Sequence, residues 1–541
     1  MTKWFNENKS INESQFGFRE NRSTTDCIFI LNGLIDILFA QGKKLYACFF
    51  DFTKAFDLLD RSAVFYKLMN KGVSSKLLNI IKSLYSNVKL SIKGDENRKF
   101  YSNFGVIQGE SLSPLLFSLF VADLPENLND IKIGTKVQDI IIQLLMFADD
   151  TAIFSETIEG LQIGINSVSD YCKKWGITVN VEKTKIVVFK KGGRLAKSEK
   201  WSYRDKNIEV VKQFRYLGCT ISSRGKILIN ELIDSARRGL FSLNTYFNSN
   251  KDIVPSIKIQ LFNSMILPIL TNSSEVWGVY NLDLIETFYL SFLKCLLGVK
   301  KSTPGSFVYG ELGILPLKIE IQMRVIKYWL KIIRPSLSYD NYIRKIYLEL
   351  MLTNIYFPEK VTWVSKVKDI LFKCGMGVFW LVQKVENENM FLRNIRQRLT
   401  DMYRQEWHAS VQGTSDNRLY KYLKENLSYE NYLDLSNQYL RVAITKVRLS
   451  SHLYNIERGR WRNIPRLNRI CEFCNVIEDE FHVFIECPRY KKLRDVYLPK
   501  NLIFKPSMQS FVHYLKCGTS TDLIKLGRLC AGIEKEHKLY I

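Results

Sequence analysis

Leu144–Phe154, LLMFADDTAIF, is the stretch whose reading decides the fold: Asp149 and Asp150 stand side by side between two apolar runs. Ile140–Ala148 is apolar except for Gln143 and reads as a buried strand, not a half-exposed alternating one. Thr151–Phe154 is again strand-like, which predicts a hairpin with both aspartates on its turn. Two adjacent carboxylates repel and lose solvation, so solvent or a bound cation must relieve them. An isolated Asp-Asp pair is most simply an acidic turn in water. A metal site needs a third carboxylate and a nucleic-acid track elsewhere in the chain.

The chain supplies the track through its charge. Its 541 residues carry a formal charge of +24, with 46% hydrophobic and 24% charged residues. That length suits roughly three or four domains, and that composition suits packed ones. So basic a surface calls for a polyanion, and nucleic acid fits better than a membrane. Aromatic content of 13% suits base stacking as well as core packing. No run of roughly 18 or more apolar residues occurs, and the start MTKWFNENKS lacks a signal-peptide core. The expectation is therefore an intracellular protein, neither membrane-bound nor secreted. Of 11 cysteines only Cys471, Cys474 and Cys487 cluster; the others read as reduced core thiols.

The third carboxylate comes from the order of elements. Thr25 or Asp26 caps a helix over Cys27–Gln41, and Leu45–Asp51 reads as a buried strand ending in an aspartate. KAFDLLDRSAVFYKLMNKG and SSKLLNIIKSLYSN read as helices, Val88–Lys93 and Lys99–Ile107 as a hairpin around GDEN, and SPLLFSLFVADL as a helix with Pro114 in its first turn. After the Asp-Asp hairpin, Leu161, Ile165, Val168, Cys172 and Trp175 mark an amphipathic helix stopped by Gly176, and Ile177–Phe189 reads as further strands. Strand–helix–strand–strand–helix–strand is the pattern of a split βαβ sheet, here expected with helices on one face. Its central strands are neighbours, so Asp51, Asp149 and Asp150 converge on one edge. Lys212–Ile221 is an aromatic hairpin, and helices follow. In the first, Ile229, Leu232, Ile233, Ala236, Leu240, Leu243 and Phe247 make an apolar stripe that leaves Arg237 and Arg238 outside, either following a nucleic-acid backbone or simply solvated.

QFGFRENRST, FFDFTKAFD, GVIQGESLSPLLF, FADD, WGITVNVEKTK and FRYLG, in this order, resemble the motifs of a reverse transcriptase from a non-LTR (LINE-like) retrotransposon. LPILTNSSEVWG and RLSSHLYNIERGRW with the cysteine cluster extend the resemblance over nearly the whole chain. It implies an α+β right-hand polymerase: partial fingers over 1–44, a palm over 45–222, a helical thumb over 223–340, a helical basic connector over 341–465, a CCHC zinc knuckle over 466–495 and a C-terminal tail over 496–541. The implied activity is RNA-directed DNA polymerisation from deoxynucleoside triphosphates, on an RNA template and from a DNA primer or target end. The implied location is the nucleus and cytoplasmic ribonucleoprotein.

By that resemblance, Asp51, Asp149 and Asp150 hold two Mg²⁺, with Mn²⁺ as an alternative. Phe56 is the gate against a ribose 2′-hydroxyl, with an ordinary core phenylalanine as the plainer reading. Gln108 and Gly109 lie against the incoming nucleotide. Lys183 sits near the leaving pyrophosphate, with Lys185 as rival and a solvated strand-end lysine as the plainer reading. Tyr216, Leu217 and Gly218 form the primer grip, Tyr216 and Leu217 being its packing residues. The spacing C-x2-C-x7-H-x4-C makes Cys471, Cys474, His482 and Cys487 a closed, structural zinc site. Arg460, Arg462, Arg466, Arg469, Arg489, Lys491, Lys492 and Arg494 supply a basic rim which, with Trp461, suits RNA or target DNA. Only 14 residues stand before Gln15, so a 5′-truncated copy or partial gene model is expected, with the triphosphate grip and a nuclease absent. Two alternatives stand beside the polymerase: a catalytically dead, nucleic-acid-binding remnant, and an RNA-directed RNA polymerase, against which Phe56 argues.

Overall fold

Strand β1 (Leu45–Phe50) is buried at all six residues and forms the middle of the main sheet. The computed structural model describes residues 12–92, 95–129, 133–280, 282–337, 341–413, 418–516 and 518–539. Its other strands are β2 (Val88–Ile92), β3 (Asp95–Ser102), β4 (Thr135–Val137), β5 (Ile140–Ile142), β6 (Leu144–Phe147), β7 (Asp150–Ser155), β8 (Lys185–Phe189), β9 (Trp201–Tyr203), β10 (Lys206–Val211), β11 (Gln213–Tyr216) and β12 (Cys219–Ser222). Six strands share one sheet in the order β6-β7-β1-β8-β10-β9. β1 runs antiparallel to both β7 and β8. That is the split βαβ order, with β1 and β7 adjacent in the centre.

Helices cover both faces of this sheet, not one. On one side Tyr46, Cys48 and Phe50 pack with Leu161, Ile165, Val168 and Cys172 of the helix Ile158–Trp175. That helix is capped by Thr157, whose side chain accepts from Gly160 N at 3.0 Å, and it ends at left-handed Gly176. On the other side Phe49 stacks on Phe214 at 4.5 Å, and the helix Thr24–Ala40 packs against β1 and β6. LYACFF is apolar at every position, and a strand buried on both faces needs a cover on both.

Several boundaries shift for identifiable reasons. The strand expected over 140–148 breaks at Gln143, whose carbonyl accepts from Phe154 N and whose amide donates to Leu128 O. The helix after Asp51 begins only at Arg61 because the preceding loop gives its carbonyls elsewhere: Leu59 O accepts from Gly105 N, and Phe56 O from Val106 N. Those bonds also end β3 at Ser102, short of Ile107. Residues 177–184 form no strand. Ser23, not Thr25 or Asp26, caps the first helix, and Asp26 closes its capping box.

By packing, the chain divides into two units. The first comprises Met1–Glu231, Ser273–Tyr280 and Arg324–Glu388; the second comprises Leu232–Asn272, Asn281–Met323 and Asn389–Ile541. The boundary expected at 340 does not follow this division, because 324–388 packs into the first unit. There Asp26, fully buried, accepts from Lys331 Nζ at 2.8 Å and from Tyr328 Oη at 2.9 Å. A Cβ on Gly33 would lie 2.3 Å from Ile346 Cγ2 of the helix Tyr342–Tyr356.

The second unit is helical. Within 496–541, expected as a tail, the described residues include several helices, the last of which (Ser520–Lys538) packs on Gln438–Arg448. At its centre Arg448 is buried against Glu311, lies 2.7 Å from Glu430 and donates to Leu515 O at 2.7 Å. Removing one partner from such a network leaves an uncompensated buried charge. Arg448→Met is therefore expected to destabilise this unit by roughly 3–5 kcal/mol in urea unfolding; a change near zero would refute the network's role.

Candidate functional site

Backbone register gathers the three aspartates. Phe50 pairs with Thr151 across β1 and β7, which sets Asp51, the next residue, beside Asp150. Phe147 pairs with Asp150 across β6 and β7, so the turn is Ala148–Asp149 and Asp150 opens β7 rather than sitting on the turn. A two-residue hairpin matches strand twist when its first central residue takes positive φ. Ala148 does so at +57°, a left-handed conformation costly for a residue with a Cβ. Partial loss of hydration pushes the carboxyl of Asp150, a residue that still keeps an exposed face, up to about 6, with repulsion from Asp149 and Asp51 adding to it. Burial and Asp51 also raise Asp149, against one backbone hydrogen bond.

Two segments fasten this strained arrangement, and neither role was readable from sequence. Ser14–Gly17 lies along β6: Phe16 N donates to Met146 O and Met146 N to Ser14 O, both at 2.8 Å. The fully buried Gln15 accepts through Oε1 from Gly17 N at 2.9 Å and from Ala148 N at 3.2 Å. A Cβ on Gly17 would stand 2.4 Å from Ala148 N, so only glycine permits the approach. On the other flank, residues 178–184 hold Asp51 by its peptide. Asn180 N donates to Asp51 O at 2.8 Å, and Asp51 N donates to Thr184 Oγ1 at 3.2 Å. Thr184 donates in turn to Asn180 O at 2.8 Å. The signal was present as the QFGF and VEKTK stretches; the contacts are long-range and carry no local pattern.

The surrounding residues are placed as follows. Phe56 is half-buried, its ring 4.8 Å from Phe117. Gln108 Nε2 donates to Asp57 Oδ1 at 3.0 Å. Gly109 has φ +89°, and a Cβ there would meet nothing within 4 Å, so its backbone, not its packing, requires glycine. Lys183 is exposed, whereas Lys185 is held 2.6 Å from Glu209. Tyr216 is buried, its ring 5.1 Å from Phe49. Leu217 is half-buried: with φ +47° it forms, with Gly218 at +83°, the two-residue turn between β11 and β12. Among the exposed basic residues, Arg237 pairs with Asp234 at 2.7 Å and Arg238 Nη2 donates to Ser235 Oγ at 3.0 Å.

In the second unit the ligand atoms of Cys471, Cys474, His482 and Cys487 all lie within 4.8 Å of one another. Among the described residues no other group of three or more His, Cys, Asp or Glu side chains converges in this way, the aspartates included. Cys474 Sγ and Cys487 Sγ are 3.7 Å apart, far beyond the about 2.05 Å of a disulfide. His482 Nε2 is buried without a hydrogen-bond partner, while Nδ1 faces Glu486 Oε2 at 3.3 Å. An orphaned ring nitrogen beside three thiols fits a tetrahedral cation, with Glu486 orienting the ring.

The stretch RLSSHLYNIERGRW forms the seat of this cluster. His452 Nε2 lies 2.9 Å from Glu480, Asn455 N donates to Glu478 at 2.6 Å, and Asn455 Nδ2 donates to Ile470 O at 2.8 Å. The basic rim is smaller than expected. Arg469 donates to Ile464 O and Ile456 O, Arg494 is buried, Arg460 pairs with Glu457, and Lys300 Nζ lies 3.6 Å over the Trp461 ring. Arg462, Lys491 and Lys492 remain exposed.

The family model "Reverse transcriptase (RNA-dependent DNA polymerase)" matches residues 1–221. The chain is 26% identical over 284 residues to "RNA-directed DNA polymerase from mobile element jockey" of Drosophila funebris, covering 50% of this chain and 30% of that one. It is 27% identical over 238 residues to the Pol polyprotein from retrotransposable element R2DM of Drosophila melanogaster, covering 42% and 22%. A third relative, the Pol polyprotein from retrotransposable element R2 of Popillia japonica, is 28% identical over 265 residues, covering 47% and 42%. The chain thus spans less than half the length of these relatives. A telomerase from Candida albicans aligns over 64% of this chain and 55% of its own at 14% identity, with a TM-score of 0.31, a likeness too slight to argue from.

The aspartate cluster makes a pH prediction. In the metal-free fold Asp150 titrates at about 6, above the about 3.9 of an unfolded aspartate. The folded state therefore holds the extra proton between those values, and stability falls as pH rises through that window. Asp150→Asn is expected to raise the melting temperature in chelator at pH 7.5, with the gain disappearing below about pH 4. A gain independent of pH would contradict the assignment.

Proposed function

We propose that this chain, whose residues 1–221 match the reverse transcriptase family model and whose sequence resembles polymerases of non-LTR retrotransposons, is an RNA-directed DNA polymerase that extends a DNA 3′-end on an RNA template. The observation that carries this reading is the register that sets Asp51 beside Asp150, with the Asp149 turn clamped by Gln15 and the Asp51 peptide by Thr184.

Two Mg²⁺, or Mn²⁺, bound at these carboxylates would stabilise the attacking 3′-hydroxyl and the leaving pyrophosphate. Asp51 and Asp149 are the main ligands in this reading. Asp150, the most repelled, would contribute less directly. Phe56, steadied by Phe117, blocks a ribose 2′-hydroxyl and so selects deoxynucleoside triphosphates over ribonucleotides. Gln108, oriented by Asp57, and Gly109 line the nucleotide's approach. Lys183 is preferred over Lys185 for the pyrophosphate because Glu209 already holds Lys185. Tyr216, Leu217 and Gly218 support the primer end. In domain terms this makes 45–222 the palm, with fingers residues before it and thumb residues from 223. Zn²⁺ held by Cys471, Cys474, His482 and Cys487 would lock the C-terminal loops onto their seat, with no open position for chemistry. The working place of such a protein is inside the cell, with its RNA.

A second reading, a nucleic-acid-binding remnant without catalysis, draws on one observation: the aspartates do not converge as the cysteine cluster does. Incorporation of deoxythymidine triphosphate on a poly(rA) template primed with oligo(dT) decides between them. The polymerase reading expects Mg²⁺-dependent incorporation that Asp149→Ala lowers by on the order of 10²–10³ or more. Incorporation no higher than in that variant, with RNA still bound, establishes the remnant. The cysteine cluster is tested separately by metal analysis: about one zinc per chain is expected. His482→Ala should lower both zinc content and melting temperature. Zinc well below one per chain in the parent protein rejects a structural site.

A further inference from the structure

We propose that the β2–β3 hairpin is a stacking platform for single-stranded RNA template ahead of the catalytic carboxylates, an inference that rests on the polymerase reading above. In its register Lys89 stands opposite Tyr101, Leu90 opposite Phe100 and Ser91 opposite Lys99. Alternation along the strands then puts Lys89, Lys99 and Tyr101 on one face and Leu90 and Phe100 on the other. Tyr101 is 64% exposed, Phe104 62%, Phe100 52% and Leu90 50%. Lys89 Nζ lies 5.6 Å over the Tyr101 ring. So many large apolar side chains left in water on one short ribbon mark a binding surface rather than a fold requirement.

The root of the ribbon is rigidly joined to the proposed nucleotide site. Arg61 donates to the carbonyls of Tyr85 at 2.9 Å, Ser102 at 2.7 Å, Phe104 at 3.1 Å and Gly105 at 2.8 Å. Gly105 N and Val106 N donate at 2.8 Å to Leu59 O and Phe56 O. A Cβ on Gly105 would stand 2.4 Å from Asp57 O. The platform therefore shares a backbone anchor with Phe56 and, through Asp57, with Gln108. Aromatic faces interleaved with ammonium groups suit a chain that offers a π-face and a phosphate at every nucleotide. In sequence, GDEN carries two acidic residues, and the candidate surface is therefore taken as residues 88–91 and 99–104. A second copy of a chain with charge +24 would bring like charge against Lys89 and Lys99, which disfavours self-association as the occupant.

The test measures affinity of the full chain for two RNA–DNA hybrids, one blunt and one with a single-stranded RNA 5′ overhang of about six nucleotides. Tyr101→Ala combined with Phe104→Ala is expected to weaken the overhang hybrid by on the order of 10-fold or more while leaving the blunt hybrid unchanged. Tyr101→Phe should retain binding, since it keeps the ring. Lys89→Ala with Lys99→Ala should lower the salt slope of overhang binding by about one to two. All four positions are exposed, and unchanged melting temperatures verify that the variants fold. Equal loss on both hybrids, or none on either, overturns the platform. So does a dimer in sedimentation that the aromatic substitutions dissolve while overhang affinity stays intact. A parent chain that shows overhang-dependent binding but incorporates no nucleotide refutes the polymerase reading and leaves the platform standing.

Discussion

Three carboxylates at one end of an antiparallel strand pair repel one another, and the first unit is built to hold them there. β1 and β7 lie side by side in the sheet, so Asp51 and Asp150 cannot move apart without breaking the ladder. The Asp149 turn is pinned through Ala148 by Gln15, and the Asp51 peptide is pinned by Asn180 and Thr184. All of these bonds reach backbone atoms of, or next to, the charged residues, and none of them uses a carboxylate oxygen of the trio. The raised Asp150 carboxyl and the left-handed Ala148 show the energetic cost of the arrangement. Packing elsewhere offsets it. Phe49 on Phe214 and Tyr216 covers one face of the sheet, and the helix Ile158–Trp175 covers the other.

The second unit solves a different problem with similar means. The segment carrying three thiols and a histidine is held by apolar packing, with Val483 and Phe484 fully buried and Phe484 against Phe511, and by acidic side chains that dock on the preceding segment. Glu478 and Glu480, close to His482 in sequence, bond Asn455 and His452. Deeper in the unit, Arg448 joins the buried Glu311 to Glu430. Several basic residues that look like a nucleic-acid rim in the sequence are spent on such internal bonds. A positive charge count cannot separate a docking arginine such as Arg469 from a solvated one such as Arg462.

Much of the first unit was legible because its signals are local. Apolar runs with Asp-Asp between them, helical spacing from Leu161 to Trp175, and a strand ending in Asp51 define the split βαβ order without any knowledge of contacts. The cysteine–histidine spacing likewise predicted a cluster that the fold closes. What misled were features whose cause lies far away in the chain. The helix start at Arg61, the end of β3 at Ser102 and the loss of strand structure over 177–184 all follow from backbone bonds to distant loops. The turn geometry that places Leu217 at the tip of the β11–β12 hairpin has no local signal beyond the glycine after it.

By itself, the sequence determined which residues are charged, apolar or thiol-bearing and in what periodic order. Those properties suffice for the strand order, the aspartate trio and the ligand quartet, because side-chain alternation and helical period are local physics. The tertiary structure alone decided that Gln15, Gly17, Asn180 and Thr184 hold LLMFADDTAIF and Asp51 in place, and that 324–388 joins the first unit. It alone separated Lys183 from Lys185. The clamps depend on which groups meet across more than a hundred residues, as Gln15 meets Ala148, whereas Lys185 is set apart by its side-chain pair with Glu209. Such meetings are set by the summed packing of both sheet faces, and no single stretch of sequence encodes them.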